Sequence, residues 1–352
     1  MKKTNLRRIP DGYQVEDSMP ILLDDTSLAY FLDLSGSELW GLLKAATRVD
    51  AGESGSLYRK WSIPKRSGGT RTLYAPQGAL KGIQSKIRDR ILDLAPKSDI
   101  SVAYRKGRCP GDTAREIAGS SVILKLDIKN FFPSITQKRV KELFLSYGYG
   151  DEVSNILGGL LCVKDGKKRF VCQGGTASPM LANRIAEMTI DPKVLEVLPE
   201  GWRYSRYCDN LYIYPGPDVP YKSGDKHRHI LQAVRQAVWQ AGFSSHQGSV
   251  VPYYRRQQLL GLTVNEKANM PRTRYKLLRA CLHNCSKLGF QTQMASAIKL
   301  GFQQTGEESL DVMRFKAFLG GLLNYYKDYL TQSKYEKLLS WYVAAESLDA
   351  NN

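Results

Sequence analysis

No stretch of the chain approaches the roughly 20 consecutive apolar residues that a membrane-spanning helix needs. The opening, MKKTNLRRIPDGYQ, places charge first with no apolar run behind it, which argues against a secretory leader. A cytoplasmic protein with no membrane partner is expected. Cysteine is sparse, six in 352 residues and scattered, the pattern of reduced thiols rather than a disulfide framework. Its one close grouping, Cys281, His283 and Cys285 in CLHNC, has no second ligand pair nearby and sits in a helical pattern, so packing is expected there rather than zinc. Acidic side chains are in deficit: 34 Asp and Glu against 51 Lys and Arg leave a net charge of +17. The basic residues recur in many segments rather than in one tail, which favours a polyanionic partner, nucleic acid before membrane, over a merely solvated basic surface. Internal repeats and low-complexity tracts are also lacking.

What is present suffices for one large core or two to three connected subdomains. An N-terminal element, 1–55, carries the amphipathic stretch SLAYFLDLSGSELWGLLKAA with Leu39, Leu42 and Leu43 on one helical face. The next segment, YRKWSIPKRSGGTRTLYAP, reads as a hairpin turning at Ser67-Gly68-Gly69 and decorated by Lys60, Lys65, Arg66 and Arg71. A helix with Leu80, Ile83, Ile87, Ile91 and Leu94 at core spacing follows. Val122 to Leu126 form a strand ending in Asp127, after which the chain turns into a helix with Val140, Leu143, Phe144 and Tyr147 on one face. A glycine-rich loop leads into the helix MLANRIAEM, with Pro179 suited to its first turn. RYCDNLYIY, Arg206 to Tyr214, reads as a tight hairpin, and a further helix carries Ile230, Leu231, Val234 and Val238. From about residue 272 the pattern is helical, with Phe315, Phe318, Leu319, Leu322, Tyr326 and Tyr329 on one side.

Asp127 ends a strand, and Asp209 sits at a hairpin tip about eighty residues later. Adjacent strands bearing these carboxylates can converge on divalent cations, since Mg²⁺ is typically held by one or two carboxylates plus substrate phosphates. Two such ions align an attacking hydroxyl with a phosphate and stabilise the leaving oxygen. Alone, two strand-end aspartates are more often turn formers. Here LDIKNFFPSI, QGGTASPMLAN and RYCDNLYIY occur in that order, with IPKRSGGTRTLYAP upstream. The set resembles the reverse transcriptases of bacteria, the lineage of group II intron maturases, retrons and defence-associated enzymes, over about residues 28 to 340.

The resemblance implies an α+β, right-hand polymerase: fingers at 56–120, a palm with an antiparallel sheet at 121–268 containing an inserted fingers segment at about 136–172, and a helical thumb at 269–352. It implies two Mg²⁺ ions, with Mn²⁺ as an alternative, held by Asp127, the backbone carbonyl of Ile128, and Asp209, with Asn210 completing the catalytic set. Phe132 matches the aromatic gate that favours deoxynucleotides; on spacing alone it reads as core. Gln173, Gly174 and Gly175 match the loop that cradles the incoming nucleotide and the templating base, where absent side chains permit close approach. Lys65 and Arg71 match residues that grip the triphosphate, and Lys60 and Arg66 belong to the same basic hairpin. Arg272, Arg274, Lys276 and Arg279 would contact phosphates of the primer–template duplex. The implied partners are dNTPs, an RNA template or structured non-coding RNA, a DNA product, and a partner protein or further copies of the chain.

Several positions depart from the family. Its YADD reads Tyr207-Cys208-Asp209-Asn210 here. Asparagine keeps an oxygen donor but loses a unit charge, and a unit pair at 4 Å is worth about 4 kcal/mol at an effective dielectric of 20. Some RNA-dependent polymerases of negative-strand viruses carry an Asp-Asn pair and are active, so a tuned site and a disabled one are both open. In GFSSHQGSV, His246 and Ser249 stand where the family has an asparagine and a lysine that protonates the leaving pyrophosphate; His246 reads as a substitute acid or as a structural histidine. The retron elements NAxxH and VTG read Thr113-Ala114-Arg115-Glu116-Ile117 and Leu259-Leu260-Gly261, which sets the chain apart from a retron enzyme proper. With no intron-type DNA-binding or endonuclease segment before Asn352, the expectation is a stand-alone enzyme of anti-phage defence. The alternative expectation is a degenerate fold acting as an RNA-binding scaffold beside an active polymerase.

Overall fold

A computed structural model describes residues 19–64, 68–95, 97–220, 226–303 and 307–350. The first helices are α1 (Asp25–Phe31) and α2 (Gly36–Arg48), each opened by a reciprocal capping box, from Asp24 with Ser27 and from Ser35 with Glu38. The basic hairpin comprises β1 (Tyr58–Pro64) and β2 (Thr70–Pro76), paired from Tyr58↔Pro76 to Pro64↔Thr70. Its tip, with Lys65, Arg66 and Ser67, lies outside the described residues.

Helix α3 (Gly78–Ile87) buries Leu80, Ile83 and Ile87 as its spacing requires. It then widens into a π-helical turn over Arg88–Leu92. The extra residue in that turn shifts the phase of the stripe: Ile91 and Leu92 are buried, whereas Leu94, expected in the core, is 38% exposed.

After α4 (Pro110–Ile117), the centre of the first unit is a four-stranded sheet ordered β6-β7-β3-β8. Its strands are β3 (Val122–Asp127), β6 (Trp202–Tyr207), β7 (Asn210–Pro215) and β8 (Ser249–Pro252). Val122, Ile123, Leu124 and Leu126 of β3, and Leu211 to Tyr214 of β7, are buried. Such continuous burial marks central strands covered on both faces. Between β3 and β6 the chain forms α5 (Phe131–Ser134), α6 (Gln137–Ser146), α7 (Asp151–Leu161), the short hairpin β4 (Val163–Asp165) and β5 (Lys168–Phe170), α8 (Ser178–Thr189) and α9 (Asp191–Glu196). The N-terminal helices join this core because Gly159 of α7 leaves room for α2: a Cβ there would lie 2.5 Å from Leu43. Helix α10 (Lys226–Gln240) packs on β3.

Contacts divide the chain into two units, 1–113 with 121–251, and 114–120 with 252–352. The second contains β9 (Gln258–Leu259), β10 (Leu262–Thr263), α11 (Arg272–Leu288), α12 (Glu308–Tyr326) and α13 (Gln332–Ala350). Residues 252–268, read from sequence as palm, cluster with the helices that follow them. Helix α11 buries Leu278, Cys281, Leu282 and Cys285, an i, i+3, i+4, i+7 stripe. The two cysteines of CLHNC face inward, and His283 meets the Trp341 ring at 5.0 Å. On α12, Leu323 takes the buried place expected for Leu322. No described helix is long and apolar enough to cross a membrane.

Candidate active site

Three chain segments meet at the carboxyl end of β3. Asp127 lies opposite Asn210 in the β3–β7 pairing, and the Ile128 amide donates to the Asp209 carbonyl at 3.0 Å. From the other side, the His246 amide donates to the Asp127 carbonyl at 2.8 Å, and Lys129 to Ser244 at 2.8 Å. Backbone bonds alone thus bring Asp127, Ile128, Asp209, Asn210 and His246 together. Ser249 is the exposed first residue of β8.

The Asp127 side chain is 49% exposed, with His246 Nε2 3.6 Å from its Oδ2. Burial raises the Asp127 pKa above its ordinary value of 3.8, the neighbouring Asp209 charge raises it further, and His246 opposes both. The Asp209 charge beside the Asp127 carboxylate makes a locus that a cation would relieve. The Asn210 amide nitrogen donates to Asp209 Oδ1 at 3.0 Å, where an aspartate would add a third negative charge. Among the described residues no three His, Cys, Asp or Glu side chains are grouped to hold a metal. The donors are two carboxylates, an amide oxygen and backbone carbonyls, with the His246 imidazole beside them; the predominance of oxygen fits a hard ion that takes further ligands from phosphates and water.

The hairpin turn is tight, Tyr207 pairing directly with Asn210. Cys208 adopts φ 58°, a conformation that costs a non-glycine residue energy and needs outside support. Its side chain is 6% exposed, Tyr104 Oη donates to its sulfur at 3.2 Å, and burial pushes the thiol up to about 12. Beneath the turn is a group that sequence reasoning missed. Arg206, fully buried, holds Asp191 through Nε and Nη2 at 2.8 and 2.9 Å, and its Nη1 reaches Asn183 Oδ1 at 2.9 Å and the Cys208 carbonyl at 3.1 Å. The available signal was an arginine one residue from the turn, in a strand that is otherwise buried there.

Phe132 lies on α5, half-buried against the core, with its ring centroid 5.7 Å from that of Phe131. The segment after it is tied to the one entering the glycine loop by the Val171 amide on the Ile135 carbonyl at 2.9 Å. That loop is fixed to β2, because the Tyr74 amide donates to the Gln173 carbonyl at 2.9 Å. Gly174, at φ 104°, lies so close that a Cβ would sit 2.7 Å from the Tyr74 carbonyl oxygen; only glycine fits. Gly175 is buried, and its Cβ would collide with Ser178.

Arg71 is exposed on β2. Lys60, on β1, is occupied by Asp165 at 2.8 Å. Lys65 and Arg66 lie outside the described residues. In the second unit Arg272, Lys276 and Arg279 are exposed, and their i, i+4, i+7 spacing puts them on one face of α11. Arg274 falls off that face, is half-buried, and donates to the Leu300 carbonyl at 3.2 Å.

Residues 63–248 match the family described as reverse transcriptase (RNA-dependent DNA polymerase). The chain belongs to the reverse transcriptase family. It is 29% identical over 291 residues to the retron Mx65 reverse transcriptase of Myxococcus xanthus, covering 77% of this chain and 61% of that protein. It is 28% identical over 236 residues to the retron Ec86 reverse transcriptase of Escherichia coli, covering 65% of this chain and 71% of that protein. The chain thus spans about three fifths of the length of the Mx65 relative. Among solved structures, telomerase from Candida albicans in complex with a fragment of telomeric RNA gives a TM-score of 0.41 at 13% identity, over 82% of this chain and 61% of that one. The family assignment read from the motifs, the mixed α+β fold class and the retron-like affinity are borne out. The departures at the NAxxH and VTG positions do not separate the chain from retron relatives.

Proposed function

We propose that this chain is an RNA-directed DNA polymerase that extends a 3′-hydroxyl with deoxynucleotides. The observation that carries the reading is the backbone-enforced meeting of Asp127 and Asp209 at the end of β3, in a chain of this family. Asp127, the Ile128 carbonyl and Asp209 would hold two Mg²⁺ or Mn²⁺ ions, with Asn210 beside them. When bound, the ions would activate the attacking oxygen and stabilise charge on the phosphate and its leaving group. The chain's own residues do the rest. Gln173, Gly174 and Gly175 would cradle the incoming nucleotide and the templating base on a loop whose backbone is pinned to β2. Phe132 would exclude a ribose 2′-hydroxyl, Arg71 would grip the triphosphate together with Lys65, and the Arg272, Lys276 and Arg279 face would follow duplex phosphates. RNA template, DNA product and a role in anti-phage defence with a dedicated structured RNA complete the proposal; the reverse transcriptase relatives support the template and product.

A second reading, an inactive RNA-binding scaffold, is favoured by the charge lost at Asn210 and by Ser249 at the lysine position. Purified protein with its co-purified RNA, given labelled dNTPs with Mg²⁺ or Mn²⁺, distinguishes the two. Polymerase action predicts labelled DNA, undiminished or increased in Asn210→Asp, and ribonucleotide incorporation appearing in Phe132→Ala. No incorporation with either ion would leave the scaffold.

A further inference from the structure

Arg206 takes no part in the chemistry just described, yet it heads the large, fully buried side chains among the described residues. It rests on Asp191, 2% exposed, and Asn183, 5% exposed. Replacing a buried ion pair by packed apolar residues is commonly neutral or stabilising, so stability alone does not account for it. The hairpin does not need it to close either, because Tyr207 and Asn210 pair directly. What the guanidinium adds is a hydrogen bond to the Cys208 carbonyl at 3.1 Å. That carbonyl belongs to the peptide joining Cys208 to Asp209, so holding it sets the plane from which the Asp209 side chain rises.

The fork is itself locked. Nε and Nη2 take both oxygens of Asp191, which also accepts from Tyr204 Oη at 2.9 Å. Asn183 turns its oxygen toward Nη1 because its nitrogen donates to the Ala103 carbonyl at 2.6 Å. The Arg206 amide donates to the Ile100 carbonyl at 2.9 Å. Lysine, a point charge on a flexible stem, cannot satisfy two carboxylate oxygens, an amide oxygen and a carbonyl in fixed directions.

We propose that Arg206 is a positioning residue: clamped by Asp191 and Asn183, it holds the Cys208–Asp209 peptide in its left-handed turn and so aims the Asp209 carboxylate at the site. This rests on the polymerase reading, and its test has an arm that does not. Full-length Arg206→Lys is compared with wild type in single-nucleotide kinetics and in Mn²⁺ titration followed by electron paramagnetic resonance. With folding verified by circular dichroism, the expected result is a loss of about tenfold or more in kcat, a KM for dNTP within about twofold, unchanged RNA binding, and several-fold weaker Mn²⁺ binding. A folded variant with wild-type kcat and wild-type Mn²⁺ affinity overturns the proposal. Should Arg206→Lys not fold, Asn183→Ala, which removes one anchor and leaves the Arg–Asp pair, is read in the same way. Wild type that binds Mn²⁺ at Asp209 but incorporates no dNTP refutes the polymerase reading, and the Mn²⁺ arm alone then decides the role of Arg206.

Discussion

Two β-hairpins of this chain share a topology and differ in everything behind it. In β1–β2 only the ends touch the core: of β1, Tyr58 is buried and every later residue is exposed. In β6–β7 the strands are buried from Tyr204 to Arg206 and from Leu211 to Pro215, and a buried arginine donates to the backbone of the turn. The first hairpin leaves cations in water, where they can meet a mobile polyanion. The second carries a carboxylate at a turn whose backbone is hydrogen-bonded from behind, the setting that the proposed metal chemistry would require. Whether a polar residue grips or positions is thus decided by burial of the strand that carries it.

The contrast can be broken first at its strongest point. Arg206→Ala strands Asp191 in the core, and loss of one partner of a buried pair costs about 3–5 kcal/mol, measurable as a lowered denaturation midpoint. Arg71→Ala, on the exposed hairpin, should leave the midpoint alone and raise the dNTP KM by about tenfold, roughly 1.4 kcal/mol, with the effect shrinking at high salt. Asp127→Asn probes the site's own strain. Because the folded pKa of Asp127 is raised, the stability it contributes is present below its unfolded value and lost as pH rises through the folded one, so at neutral pH its charge is a cost. Removing it should raise the metal-free Tm at pH 7, no longer do so in acid, and abolish the Mg²⁺-dependent rise in Tm that the proposed metal site predicts for wild type. Lys60→Ala, which breaks a pair with side chains 37% and 29% exposed, should cost only about 0–1 kcal/mol by chemical denaturation.

Much of this was legible in the sequence, for identifiable reasons. Asp127, Asp209, Phe132 and the Gln173–Gly175 loop lie in short motifs whose order is informative, and β3 and β7 announce themselves as apolar runs. The support of the turn was not legible, because Arg206, Asp191 and Asn183 meet only once α8, α9 and β6 pack, and no periodicity links them. Leu94 leaves the core because the π-helical turn over Arg88–Leu92 breaks the phase of the stripe. Arg274 shares the charge of its neighbours, but helical geometry turns it away from their face. His246 stands out in the sequence as a departure from the family pattern, whereas its approach to Asp127 depends on the backbone bond from 246 to 127, which no local pattern encodes.

The most direct test of the central claim is RNA-templated incorporation of labelled dNTPs by wild type and by Asp209→Ala at equal folded concentration. If the hairpin carries the metal-binding carboxylate of a polymerase, wild type synthesises DNA and the variant loses activity by more than about a hundredfold, the scale of a lost transition-state contact, while still binding RNA. Equal incorporation by the two proteins would contradict it.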